Sequence, residues 1–311
     1  MVFMILVILS GSWITDATAE TVLVHEWGVV LIDEAIPMVR GAQRGYLDEN
    51  GTLQPYYSMI VDAPVIWFHG PEFTGTLTVE VQNGYFSLLI PLPVSSSTCD
   101  ETIPVFLDEE NYLAVWEDLS FTYEYVMTVD RPVDVDGIPG ESAEEGFQWA
   151  MPLWRRVQAL TVTYEAASYI DRFIYYECSA SNLFEEHDPL GNCECNAMVF
   201  YEENGELAAD LVADPANRTS TESSLSSERI VDILSDWGGN EFQEDEIKAL
   251  WKTWEPSLRT RCMLYGETIV LFPLTDEQVE SISTIELQTD QGYNVEYSRL
   301  FLVLCQVSDV V

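Results

Sequence analysis

The sequence predicts a β-rich α+β fold: an antiparallel β-sandwich in the N-terminal half, followed by an α+β C-terminal half with two helices. Three observations carry this expectation. Residues 21–129 contain short runs rich in Val, Ile, Tyr, Phe and Thr that are separated by turn residues. Some of these runs alternate apolar and polar residues with period two, the mark of a half-buried strand. Sustained helical periodicity with good punctuation appears only late in the chain, over residues 226–254. The chain has 311 residues, 47% of them hydrophobic and 12% aromatic, so it can fill a full core despite a net charge of -40.

In the first half, strands are expected over residues 21–32, 58–68, 75–81, 85–92 and 113–129. The segment Gly75-Thr-Leu-Thr-Val-Glu-Val is the clearest alternating case. Gln82-Asn83-Gly84 reads as a hairpin turn joining two of these strands, because Asn-Gly tolerates the positive φ angles of tight hairpins. Residues 130–146 are rich in Pro, Gly and acids and show no periodicity. The expected organisation is therefore a signal peptide at 1–19, a β-sandwich-like domain at 20–135, a linker at 136–146 and an α+β domain at 147–311.

In the second half, residues 147–159 suggest a helix interrupted by Pro152, and 161–164, 171–177 and 197–202 read as strands. Glu203-Asn204-Gly205 supplies a further hairpin turn, and residues 215–227 form a polar surface loop. A helix over 226–237 ends at Gly238-Gly239. A second, over 243–254, sets Ile247, Leu250, Trp251 and Trp254 at helical spacing and stops at Pro256. Strands at 268–272, 283–288 and 297–307 complete the chain.

Charge excludes some partners. The chain carries 53 acidic residues against 13 basic ones, a field that repels nucleic-acid phosphates and anionic lipid. Its only lysines, Lys248 and Lys252, lie one turn apart on the second helix, where Glu244 precedes Lys248 by four residues as a surface pair. Residues 1–19 combine an apolar run with the small residues Ala17-Thr18-Ala19, the pattern of a secretory signal. The mature chain is expected outside the cytoplasm, periplasmic or extracellular, with no transmembrane segment after cleavage. Six cysteines then favour disulfides of open connectivity among Cys99, Cys178, Cys193, Cys195, Cys262 and Cys305, the nearest links being Cys178 to Cys193 or Cys195 and Cys262 to Cys305. His187 stands near Cys193-Glu194-Cys195, but the paired C-x-x-C knuckles of a structural zinc site are missing.

No familiar catalytic motif is present. Gly140-Glu141-Ser142-Ala143-Glu144 lacks the closing Gly of a nucleophile elbow, and His25-Glu26 has no second His at helical spacing. With His25, His69 and His187 as the only histidines, a three-His metal site would need all of them. Asp130, Asp134, Asp136 and Glu141 resemble part of a calcium loop, although Pro132 and Ala143 occupy positions where an EF-hand places ligands. Apart from calcium there, no cofactor is expected.

The segment Val24-His25-Glu26-Trp27-Gly28, directly after the expected cleavage site, resembles the V-H-E-W-G opening of an uncharacterised exported bacterial protein family. The resemblance continues through Asp62 to Phe68, Arg172 to Tyr176, Asp245 to Trp254 and Cys262 to Tyr265, and so covers most of the mature chain. Val29-Val30, Glu177 and Leu302 to Cys305 depart from the family pattern. The resemblance implies export and a shared architecture, with His25, Glu26, Trp27 and Gly28 as its motif residues, and no activity. The functional expectation is a non-catalytic role outside the cytoplasm, either binding a protein or glycan ligand or structural. The alternative is a secreted hydrolase of glycan or peptide that uses a carboxylate pair, assisted by calcium.

Overall fold

The computed structural model describes residues 20–32, 45–47, 53–55, 59–82, 85–93, 113–124, 149–180, 196–213 and 220–307. The first strands are β1 (Thr21–Ile32), β2 (Gly45–Leu47), β3 (Leu53–Pro55), β4 (Met59–His69), β5 (Phe73–Val81), β6 (Tyr85–Ile90) and β7 (Leu113–Thr122). After the short helix α1 (Met151–Trp154) come β8 (Thr161–Tyr164), β9 (Tyr169–Asp171), β10 (Ile174–Ala180), β11 (Ala197–Glu203), β12 (Glu206–Val212) and β13 (Ser220–Glu222). Helices α2 (Ser227–Trp237) and α3 (Glu244–Tyr265) are followed by β14 (Thr268–Pro273), α4 (Asp276–Ile282), β15 (Ser283–Thr289) and β16 (Asn294–Val307).

The fold is a β-rich α+β fold with two large, mostly antiparallel sheets, beside which β2 and β3 pair as a two-stranded sheet. One has nine strands in the order β13-β12-β11-β14-β16-β1-β4-β10-β6, and the other has five in the order β15-β5-β7-β8-β9. Strand β1 lies inside the larger sheet, parallel to β16 and antiparallel to β4. Val22 and residues 24–30 of β1 are buried and Leu23 and Leu31 partly so, which explains the near-continuous apolar run Val-Leu-Val…Trp-Gly-Val-Val-Leu of a strand covered on both faces. On one face, Phe68 of β4 meets Phe121 of β7 in the smaller sheet, with ring centroids 4.5 Å apart. On the other, α3 lies against the sheet, where Trp251 stacks on Phe200 of β11 at 5.9 Å and Thr253 accepts a hydrogen bond from the Trp154 indole N–H.

Several expectations change on this frame. The expected linker at 136–146 lies outside the described residues, as do residues 1–19. Strands from before and after it share both sheets and one buried core, so the two expected units are joined through common sheets. Asn83 and Gly84 lie outside the described residues, and β5 and β6, which they were expected to join as a hairpin, belong to different sheets. Local turn chemistry permits a tight reversal, but which strand pairs with which is decided by the core. At Asn204-Gly205 the turn does close a hairpin, with both residues at positive φ and β11 paired to β12.

Helix α3 runs through Pro256 instead of stopping there. Pro256 is exposed, so the carbonyl that loses its N–H partner can meet water. Beyond it, Leu258 and Cys262 continue the buried stripe. Gly266, at φ +69, ends the helix in the left-handed conformation. The predicted 147–159 helix shrinks to α1, with Pro152 in its first turn, where a missing N–H costs nothing. Helix α4 was not predicted; its Thr275…Gln278 capping box is visible in the sequence.

The expected Cys262–Cys305 disulfide is not formed. Cys262 lies on α3 and carries a buried thiol, not on a strand paired with β16. Burial, with a contribution from Glu267, pushes that thiol up to about 11. Iodoacetamide at pH 8 should therefore leave Cys262 unlabelled in the folded chain and label it in urea, as read by peptide mass mapping. Equal labelling in both states would contradict a buried thiol. Cys99, Cys193 and Cys195 lie outside the described residues, and with them the expected partners of Cys178.

Candidate functional site

Because side chains alternate along a strand, consecutive residues of β1 point to opposite faces. His25 and Trp27 face α3; Glu26 and Gly28 face the smaller sheet. A polar side chain inside a strand buried on both faces needs partners. Each of the two polar ones finds them on its own side.

On the α3 side, His25 Nδ1 lies 2.9 Å from Glu246 Oε2 and 3.1 Å from Oε1. His69, the last residue of β4, brings its Nε2 to 2.9 Å from Glu246 Oε1. The two imidazole centroids are 4.7 Å apart, and Phe242 stands 5.2 Å from the His25 ring. Relative exposure is 2% for His25, 7% for His69 and 0% for Glu246, so the cluster is closed to anything larger than a small ion or water.

Three elements meet here for local reasons. Pairing of β1 with β4 places Leu23 opposite His69 and His25 opposite Trp67, so the histidines are near neighbours on one face. Glu246 is the third residue of α3, in a capping box. Its Oε2 accepts from the backbone N–H of Gln243 at 2.6 Å, which fixes the carboxylate at the positive end of the helix. The Gln243 side-chain amide reaches His69 Nδ1 at 2.9 Å, holding the second ring from behind. Burial works against the charged form of Glu246. Hydrogen bonds and charge attraction from His25 and His69 outweigh it and hold the carboxyl below its ordinary range.

One ring nitrogen of His25, one of His69 and a Glu246 oxygen all lie within 4.8 Å of one another, the only such group of three potential metal ligands among the described residues.

On the opposite face, Glu26 accepts from Arg299 Nε at 2.6 Å and from the Tyr176 hydroxyl at 2.7 Å. Arg299 also donates to the Ser283 carbonyl at 2.7 Å and to Ser283 Oγ at 2.8 Å. This network ties β1, β16, β10 and β15 together. Burial disfavours the charged form of Arg299, but Glu26 beside it keeps its pKa above the ordinary value. Trp27 packs against Trp67 and Trp154 at 5.5 and 6.0 Å, and a Cβ at Gly28 would stand 3.0 Å from the Phe301 ring, so glycine admits that ring. Every residue of the His25-Glu26-Trp27-Gly28 motif therefore has a definite packing or bonding role.

The remaining sites fall as follows. Asp130, Asp134, Asp136, Glu141 and His187 lie outside the described residues. Lys248 pairs with Glu244 as expected, and Lys252 reaches Glu255 at 3.1 Å; both are exposed. Sequence reasoning missed Glu246. Its signal was present, because residue 246 falls in phase with Ala249, Leu250 and Thr253 on the buried stripe of α3, where a carboxylate demands an explanation.

Comparison with known proteins adds nothing to this geometry: no family model, curated protein or solved structure matches the chain.

Proposed function

We propose that this chain is an exported, non-catalytic binding protein whose ligand-holding element is the closed cluster of His25, His69 and Glu246. The carrying observation is the convergence of these three side chains from β1, β4 and α3 in a space too enclosed for a glycan or peptide. Its ligand is therefore of ionic size. Export rests on residues 1–19 and on the resemblance to the exported V-H-E-W-G family.

The hydrolase alternative needs two carboxylates facing each other across a cleft, roughly 5 to 9.5 Å apart. Among the described residues the buried carboxylates are Glu26, Asp171 and Glu246. Glu26 is held by Arg299, Asp171 by Arg155 at 2.9 Å, and Glu246 by the two histidines. Glu26 and Glu246 lie on opposite faces of the nine-stranded sheet. That arrangement favours binding over hydrolysis.

The test uses the protein secreted by its expression host. Its intact mass should begin at Glu20, a broad panel of glycosides and peptides should show no turnover above the blank, and native mass spectrometry should show a small species that Glu246→Gln loses. Turnover abolished by replacing a single acid would replace this reading with the hydrolase one.

A further inference from the structure

We infer that the ion held by His25, His69 and Glu246 is a divalent transition metal of the zinc class, bound through His25 Nδ1, His69 Nε2 and a Glu246 carboxylate oxygen. The inference rests on the reading of that cluster as a binding site and names its ligand.

The spacing fits. Donor atoms about 2.1 Å from one ion and about 90° to 110° apart are separated by roughly 3.0 to 3.4 Å. Glu246 Oε1 lies 3.1 Å from His25 Nδ1 and 2.9 Å from His69 Nε2, so both nitrogen–oxygen edges are close to a coordination polyhedron already. The third edge, between the two histidines, falls within the 4.8 Å that contains all three donors.

Donor chemistry selects the ion. Two imidazole nitrogens and one carboxylate suit zinc and its first-row neighbours, whereas calcium demands six to eight oxygens and finds one carboxylate here. Charge agrees with this choice. A chain of net charge -40 favours a compensating cation over a second anion.

The outer groups are those a metal site needs. Gln243 bonds the far nitrogen of His69 and, through its backbone N–H, the carboxylate of Glu246. With the Gln243 amide oxygen turned toward Nδ1–H, a half-turn that keeps the contact with His69 and gives up the bond its side chain accepts from the Glu246 backbone N–H, the Nε2 lone pair of His69 faces the ion. Binding the ion displaces any proton from the coordinating nitrogens to solvent, so uptake releases protons. In the metal-free chain the same three groups remain joined by hydrogen bonds, which keeps the site assembled for loading.

The experiment strips the full chain with EDTA, removes the chelator, and dialyses it against zinc chloride. Bound metal is counted by mass spectrometry, and cobalt(II) is used as a spectroscopic substitute. Wild type should take up about one zinc more than Glu246→Gln or His69→Gln, and should show visible cobalt bands that zinc quenches. Glu244→Gln, one turn end away and exposed, should load like wild type. Equal uptake by wild type and Glu246→Gln would assign all the zinc to surface acids and overturn the inference. Absent cobalt bands in wild type would overturn it independently of how the variants fold. If zinc is refused while native mass spectrometry still finds a small species that Glu246→Gln loses, the metal assignment falls and the binding reading stands. If the cluster holds no species at all, both fall.

Discussion

Replacing Glu246 by alanine should lower the metal-free stability of the chain by about 3 kcal/mol, read as a fall in the urea midpoint at neutral pH. The substitution takes away the acceptor shared by His25 and His69 and the side-chain half of the α3 capping box. It also leaves a void at a fully buried position. Glu246→Gln keeps the shape and one acceptor oxygen, so its loss should be smaller.

The pH dependence of the wild-type advantage over Glu246→Gln has a definite sign. The folded pKa of Glu246 lies below its unfolded value near 4.5, so the contribution is fully present above that value. It declines as the pH falls from about 4.5 through the lower folded pKa. Urea titrations from pH 7 to pH 3 should show the two proteins converging on acidification. A gap that widened toward low pH would mean that Glu246 is not held as a carboxylate.

Glu26→Ala should be the other severe change, costing about 3 to 5 kcal/mol, because it leaves the largely buried Arg299 guanidinium without its carboxylate. Ser283 still accepts two hydrogen bonds from Arg299 but cannot neutralise its charge. Replacing both partners, Glu26→Leu with Arg299→Met, should recover much of that loss, since an apolar pair removes the stranded charge along with its counterion. In a double-mutant cycle the two positions should couple by more than about 1 kcal/mol. Additive single effects would show that the pair acts through packing alone. Because Glu26 and Glu246 lie on opposite faces of the sheet, Glu26→Ala should leave zinc stoichiometry unchanged in any chain that folds.

Where periodicity is strong and the partner is near in sequence, the elements are legible in the residues. Strands β1, β4 and β5, helix α2, the Asn204-Gly205 hairpin and the Glu244–Lys248 pair all follow from local pattern. Pro256 misled because its local penalty was set against nothing. In the fold, the buried Leu258 and Cys262 offset it, and the helix continues. Asn83-Gly84 misled for a related reason: the turn residues report what φ allows, while pairing depends on which sheet each strand joins.

The candidate site was half visible. The family resemblance put His25 and Glu26 forward as motif residues, but their use was hidden. A three-histidine metal site found no support, whereas the arrangement formed has two histidines and one glutamate.

By itself, the sequence determined the fold class, the net charge of -40, and the alternation that sends His25 and Glu26 to opposite faces. These depend on composition and on backbone geometry over a few residues. Only the tertiary structure decided that His69 and Glu246 meet His25, and that Arg299 and Tyr176 meet Glu26. Those partners are separated in the chain by 44 to 273 positions. Their meeting is set by strand register and helix docking, which in turn are set by the packing of the whole core.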